Sequence, residues 1–152
     1  MQLNITTDYA IRMTLFLASN GGSATADEIN QNMAIPKQYI SNIANRLRDA
    51  GILRPVRGYI LAFAPEDISL KIIVETMEGT TRINRCLEPD HLCSRGAVET
   101  CPVRRFYEAL QTKVDDLFGQ VTVAGLLRGE LPPGWSRAGK PGRDPPEGGD
   151  RM

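Results

Sequence analysis

Histidine and tryptophan occur once each in the 152 residues, cysteine only three times, and 18 basic residues balance 18 acidic ones. Each scarcity closes a class of function. With a single histidine and no nucleophile elbow, glycine-rich phosphate loop or paired-carboxylate signature, the chain lacks the groups that acid–base, nucleophilic or phosphoryl-transfer chemistry needs. It does not read as an enzyme. No apolar run approaches the ~20 residues that would cross a bilayer. Asp8 falls where the apolar segment of a signal peptide would begin, so a cytoplasmic protein with reduced thiols and no membrane partner is expected. Three cysteines are too few, and odd in number, for a secreted disulfide framework. Zero net charge argues against a strong non-specific polyanion binder.

The neutral average hides a local bias. Between Lys37 and Arg57 stand Lys37, Arg46, Arg48, Arg54 and Arg57 against Asp49 alone. The same stretch has helical periodicity. A first helix is expected from about Thr7 to Ala18, with Ile11, Leu15 and Ala18 along one stripe and Ala10, Met13 and Leu17 beside it. Thr25-Ala26-Asp27-Glu28 is a capping box opening a second, short helix to about Met33. Pro36 suits the first position of a third helix, about 36–50, with Ile40, Ile43, Ala44 and Leu47 on one face and Gly51 as its terminator. Residues 52–56 and 59–63 then alternate around Arg57-Gly58 as a short hairpin. Three helices followed by a hairpin is the order of a winged helix-turn-helix. The expected fold is therefore mostly α with a minor β part: a winged head over residues 1–66 and a loop plus long dimerisation helix over 67–130. A tail over 131–152, rich in proline and glycine, is expected to be disordered, and its Trp135 stands isolated.

In such a motif the helix that enters the major groove presents its N-terminal residues to base edges. Here these are Lys37, Gln38, Tyr39, Ser41 and Asn42. Gln and Asn pair bidentately with adenine, Lys and Arg with guanine. Arg46, Arg48, Arg54 and Arg57 are the expected phosphate partners, with double-stranded DNA as the ligand. A polar helix face that is merely solvated would look the same in isolation. The order of elements is what favours the DNA reading.

Beyond Ser69, which caps a fourth helix ending at Gly79, lie all three cysteines, Cys86, Cys93 and Cys101, with six and seven residues between them. Structural zinc takes ligands in close pairs, and both pairs are missing. Wide, unequal spacing suits an iron–sulfur cluster. Zinc with His91 as a fourth ligand, redox-sensing thiols and plain buried cysteines remain open on spacing alone. Pro102 opens a long helix with Val103, Phe106, Tyr107, Leu110, Val114, Leu117, Phe118 and Val121 as an apolar stripe, most simply buried against a second copy. Thr122 caps a last short helix.

Thr7-Asp8-Tyr9-Ala10-Ile11-Arg12, Ala50-Gly51-Ile52-Leu53, Val56-Arg57-Gly58-Tyr59 and three cysteines before an amphipathic helix together resemble the iron–sulfur-dependent repressors of the IscR, NsrR and RirA type, over about residues 1–130. The resemblance implies a homodimer with crossed long helices and a cluster held by Cys86, Cys93 and Cys101, the four-iron type being favoured over the two-iron type. In NsrR-like members an aspartate near the N-terminus of the other subunit completes the ligand set, and Asp8 stands at the matching place. Two departures stand out. The wing is shorter than the family's, and no histidine follows Cys101 closely, which leaves Asp8 or His91 as the fourth ligand.

Overall fold

The computed structural model describes residues 2–135. Residues 136–152 of the expected disordered tail lie outside the described residues.

Asn4 caps α1 (Ile5–Ser19), its side chain accepting from the Thr6 amide, so the helix starts two residues before the expected Thr7. Its buried face carries Thr7, Ala10, Met13, Thr14 and Leu17, while Ile11, Leu15 and Ala18 are only half-buried. The core thus selects the stripe that periodicity placed second. Thr14 tolerates burial because its hydroxyl donates to the Ala10 carbonyl at 2.8 Å. The capping box forms as expected at the start of α2 (Ala26–Met33). Glu28 N donates to Thr25 Oγ1 at 3.2 Å, and Thr25 N donates to Glu28 Oε2 at 2.7 Å. Ala34 closes this helix in the left-handed region at φ 53°, a conformation that costs any residue with a Cβ. Pro36 occupies the N-cap of α3 (Lys37–Asp49), one residue earlier than expected. Ile40, Ile43, Ala44 and Leu47 are buried, and Gly51 at φ 76° ends the turn that follows.

The wing differs from a simple hairpin. β1 (Ser23–Ala24) pairs antiparallel with β2 (Tyr59–Ile60), with Ser23 opposite Ile60 and Ala24 opposite Tyr59. The expected first strand, residues 52–56, contributes only the isolated Leu53–Leu61 bridge, with Arg54 N donating to Ile60 O and Ala62 N to Ile52 O, each at 2.9 Å. Pro55 has no N–H to extend the ladder, which stops one residue before it.

Ser69 caps α4 (Leu70–Glu78) and Gly79 ends it at φ 79°. Ile68, Ile73, Met77 and Val123 join Met13, Leu17, Ile29, Ile40 and Leu47 in one core. The fourth helix and the short α6 (Val123–Leu127), capped by Thr122, therefore complete the core that α1–α3 begin.

The long α5 (Pro102–Gln120) docks by its polar edge. Gln111, 3% exposed, is its one buried side chain. It accepts from Ile83 N at 2.8 Å and donates to Thr81 O at 3.1 Å and to Asp115 Oδ1 at 2.9 Å. Asp115 in turn accepts from Thr81 Oγ1 at 3.1 Å and pairs with Arg82 at 3.4 Å. The chain leaving α4 is thus pinned to the middle of α5 by a polar node rather than by apolar packing. A Gln111→Leu change should destabilise the protein by about 1–3 kcal/mol despite its added apolar surface, because the Ile83 amide and Thr81 carbonyl lose their partner. Urea unfolding monitored by circular dichroism measures this.

Candidate functional site

Burial of Ile40, Ile43, Ala44 and Leu47 turns the other face of α3 outward, and Lys37, Gln38, Ser41 and Asn42 are exposed there. Gln38, Ser41 and Asn42 are the unobstructed members of that face. Lys37 forms an ion pair with Asp27 of α2. Tyr39 is half-buried, its ring 5.5 Å from that of Tyr9 and packed on the core, so it braces α3 against α1 rather than standing on the outer face.

The arginines divide. Arg46, expected at a phosphate, donates from Nη2 to the carbonyls of Thr76 and Met77, both at 2.8 Å, capping the C-terminal end of α4. Arg48 is likewise engaged inside the protein. It donates to Asn45 Oδ1 at 3.0 Å and to Gly58 O at 2.7 Å, and its guanidinium lies 5.6 Å from the Tyr59 ring centroid. It therefore ties the wing to the end of α3. Sequence position alone gave no sign of either role, because Thr76, Met77 and Gly58 are remote in the chain. Arg54 and Arg57 are exposed. Arg57 precedes Gly58, whose φ of 99° makes the tight turn at the wing tip. An open cleft lined by Thr25, Ala26, Arg48, Asp49, Arg57 and Tyr59 separates this tip from the start of α2.

Behind this head runs the thiol loop, from Thr80 to Cys101. All three cysteines are free and half-buried. Cys86 sits in a single 3-10 turn (Arg85–Leu87) capped by the Asn84 side chain. The Arg104 Nε donates to the Cys86 carbonyl at 3.4 Å, and its Nη2 lies 3.2 Å from His91 Nδ1. Arg104 is also paired with Glu108 at 2.9 Å. Arg85 and Asp90 form a two-contact ion pair across the same segment. Cys93 heads a turn closed by Gly96 N to Cys93 O at 3.0 Å. Its thiol is held below the usual cysteine range, first by the Ala97 amide, then by those of Arg95 and Gly96 and by the Arg95 charge. Cys101 is the N-cap residue of α5.

Asp8 lies in the first turn of α1 and pairs with Arg12 one turn on, while Arg12 lies 5.6 Å from the Tyr9 ring centroid. No group of three or more His, Cys, Asp or Glu gathers as a metal cage among the described residues. The donor chemistry nevertheless fits iron. Three thiols share one loop, and one of them already lies over backbone amides that favour its thiolate form. The single chain does not assemble them.

Next to Asp8, Thr7 is fully buried and its hydroxyl donates to Glu78 Oε1, which also accepts from Asn4 N at 2.9 Å. These bonds, Thr7's first, hold the Glu78 carboxyl below its ordinary range, and the charge of Arg46 adds to them. None of this was legible in the sequence.

The outward stripe of α5 completes the picture. Val103, Phe106 and Leu110 are 50%, 62% and 40% exposed, about a quarter turn round the helix from buried Gln111. No helix among the described residues is long and apolar enough to cross a membrane.

A putative helix-turn-helix regulator of Aquifex aeolicus is 27% identical over 127 residues, 80% of this chain and 88% of its own. The regulator NsrR of Bacillus subtilis is 29% identical over 100 residues, 61% of this chain and 68% of its own. The structure of CymR, the global cysteine regulator of B. subtilis, superposes with a TM-score of 0.69 at 20% identity, covering 84% of this chain and 97% of that one, and shares the fold. The model of the Rrf2 family, described as iron-dependent transcriptional regulators, matches residues 3–129. With the helix-turn-helix geometry and the match running through head, thiol loop and long helix alike, the chain belongs to the Rrf2 family: a DNA-binding transcriptional regulator, not an enzyme.

Proposed function

We propose that this regulator is a homodimeric repressor whose grip on its operator is controlled by an iron–sulfur cluster, four-iron in preference to two-iron. Cys86, Cys93 and Cys101 of one subunit and Asp8 of the partner subunit would hold it. The observation that carries the reading is the concentration of all three thiols, free and half-buried, in the one loop strung between the winged head and α5. His91 is the weaker candidate for the fourth ligand, because its Nδ1 faces the Arg104 guanidinium.

The outer face of α5 supports the dimer. A helix that buries a glutamine while exposing Val103, Phe106 and Leu110 offers an apolar patch suited to a second copy. Closing two such stripes on each other sets the separation of two reading helices, which must match half-sites about one helical turn apart, ~34 Å. Gln38, Ser41 and Asn42 address base edges, with Lys37 joining them once it leaves Asp27. Arg57 and Arg54 take phosphates, while Arg46 and Arg48 hold the head rigid.

A bound cluster supplies iron open to nitric oxide, oxygen and iron loss, with the carboxylate-held iron the most exchangeable. The chain's own part is geometric. The Gln111 node fixes where the loop starts, Arg104 fixes Cys86 against α5, and the backbone amides of residues 95–97 favour the thiolate of Cys93. Loss of the ligands' common attachment frees the loop from the partner's first helix and shifts the dimer away from its competent spacing. A second reading keeps the same loop without iron. The lowered Cys93 thiol also suits a redox-sensing cysteine, or zinc could occupy the site.

Each of Cys86→Ala, Cys93→Ala and Cys101→Ala should remove the brown colour and the sulfide of anaerobically isolated protein, and Asp8→Ala should leave a cluster that forms but decays faster. Colourless, zinc-loaded wild type by metal analysis would select the second reading. Replacing Phe106 and Leu110 together by Glu should give a folded monomer in sedimentation that no longer holds a two-half-site duplex. In salt titrations, Arg57→Ala should lower the slope by about 1 without changing sequence preference. Gln38→Ala should cost about 1–3 kcal/mol and relax selection at one base pair.

A further inference from the structure

Two helices remote in sequence, α1 and α3, converge on the last turn of α4. Glu78 Oε1 accepts from Asn4 N at 2.9 Å and from the Thr7 hydroxyl, the N-cap and a first-turn residue of α1. The carbonyls of Thr76 and Met77, immediately before it, accept the two 2.8 Å bonds from Arg46 of α3. The carboxylate and the guanidinium also attract each other directly. Thr7 is fully buried with Glu78 in place, so its hydroxyl relies on that carboxylate as its acceptor.

The location matters more than the bonds. Asp8 follows Thr7 directly, and the thiol loop begins just beyond Gly79. On the opposite side, Arg46 projects from α3 one helical turn beyond Asn42, on the helix that carries the reading face. A hydrogen bond at the end of one helix can be satisfied by water wherever the end is exposed. Here the groups at the end of α4 are paired on both sides with protein, and each pair belongs to a different working part of the molecule. A shift of the first turn of α1 must move Glu78 or break its bonds, and α4 cannot move without carrying the carbonyls that hold Arg46.

We infer that Glu78 is a positioning residue, joining the first turn of α1 through the end of α4 to Arg46, so that displacement at Asp8 is passed to the reading helix. The inference rests on the reading of Asp8 as the sensing end for its biological meaning, but the mechanical link itself does not need a cluster or DNA.

The test therefore begins with the full-length, metal-free protein and hydrogen exchange. Thr7→Val removes the hydroxyl with little change of shape. It should speed exchange at Arg46–Asp49 of α3 as well as in the first turn of α1, by roughly twofold or more, as expected for coupled members of one network. Thr14→Val, which removes a buried hydroxyl bonded only within α1, is the control. Acceleration confined to α1, or an equal effect from Thr14→Val, overturns the inference. Glu78→Gln keeps both acceptor bonds and should rescue most of the α3 protection that Glu78→Ala loses. Absence of rescue means that the two acceptor bonds do not carry the coupling and likewise overturns it.

The second arm compares a duplex selected from random sequence by the wild type, bound to iron-and-sulfide-reconstituted and to chelator-treated protein. Glu78→Ala should bring the ratio of the two affinities toward one while the visible spectrum of the reconstituted form is retained. An unchanged ratio in Glu78→Ala overturns the inference. Equal affinities in the wild type itself would sink the cluster-controlled function, and the exchange experiment would still decide the junction.

Discussion

The outward face of α3 is fixed by what its inward face must bury. Ile40, Ile43, Ala44 and Leu47 are all sealed in the core, so the helix has one rotational setting in which its apolar area is out of water. Every other feature of the head follows from that constraint. The polar residues between those four emerge together, Tyr39 is left at the edge where Tyr9 can cover it, and Arg46 and Arg48 leave the helix in two directions. One of these arginines finds the end of α4 and the other finds the wing. A helix whose orientation is decided by its buried side thus becomes a rigid carrier for whatever its exposed side recognises.

The long helix works by the opposite rule. Its one fully buried side chain is polar, while Val103, Phe106 and Leu110 of its apolar stripe face out and Val114, Leu117 and Phe118 are half-buried. Hydrogen bonds are directional, so the Gln111–Asp115 node defines the register of the α4–α5 connection more sharply than apolar packing would, at little gain in stability. Non-directional apolar surface at Val103, Phe106 and Leu110 is left outside. The two kinds of interaction are sorted along one helix: directional bonds inside the chain, exposed apolar surface on its outer side.

Local chemistry was legible and long-range chemistry was not. The Thr25–Glu28 capping box, the Ser69 and Thr122 caps, the left-handed Gly51 and Gly79 and the proline opening of α5 depend on residues within a few positions, and each stands where the sequence puts it. Ser23–Ala24 carries no alternation in two residues, so its pairing with Tyr59–Ile60 could not be read. Gln111 looked like any solvent-facing residue of an amphipathic helix, because its partners are almost thirty positions away. Basic residues near a reading helix look alike in sequence, yet two of them serve carbonyls within the protein. The thiol loop was found from spacing and resemblance. Its internal bracing by Arg85, Arg104 and the amides beyond Cys93 is a property of the fold.

The Asp8–Arg12 pair has a consequence of its own. In the isolated chain the carboxylate is already neutralised, by a guanidinium that also leans on Tyr9. Any metal that recruits Asp8 must therefore compete with a resident cation and leave Arg12 stranded on the surface. Added electrolyte weakens an exposed pair of this kind far more than it weakens a coordinate bond. If Asp8 ligates a cluster as proposed, ionic strength becomes a second input, loosening the internal competitor for the iron while it loosens the hold on nucleic acid.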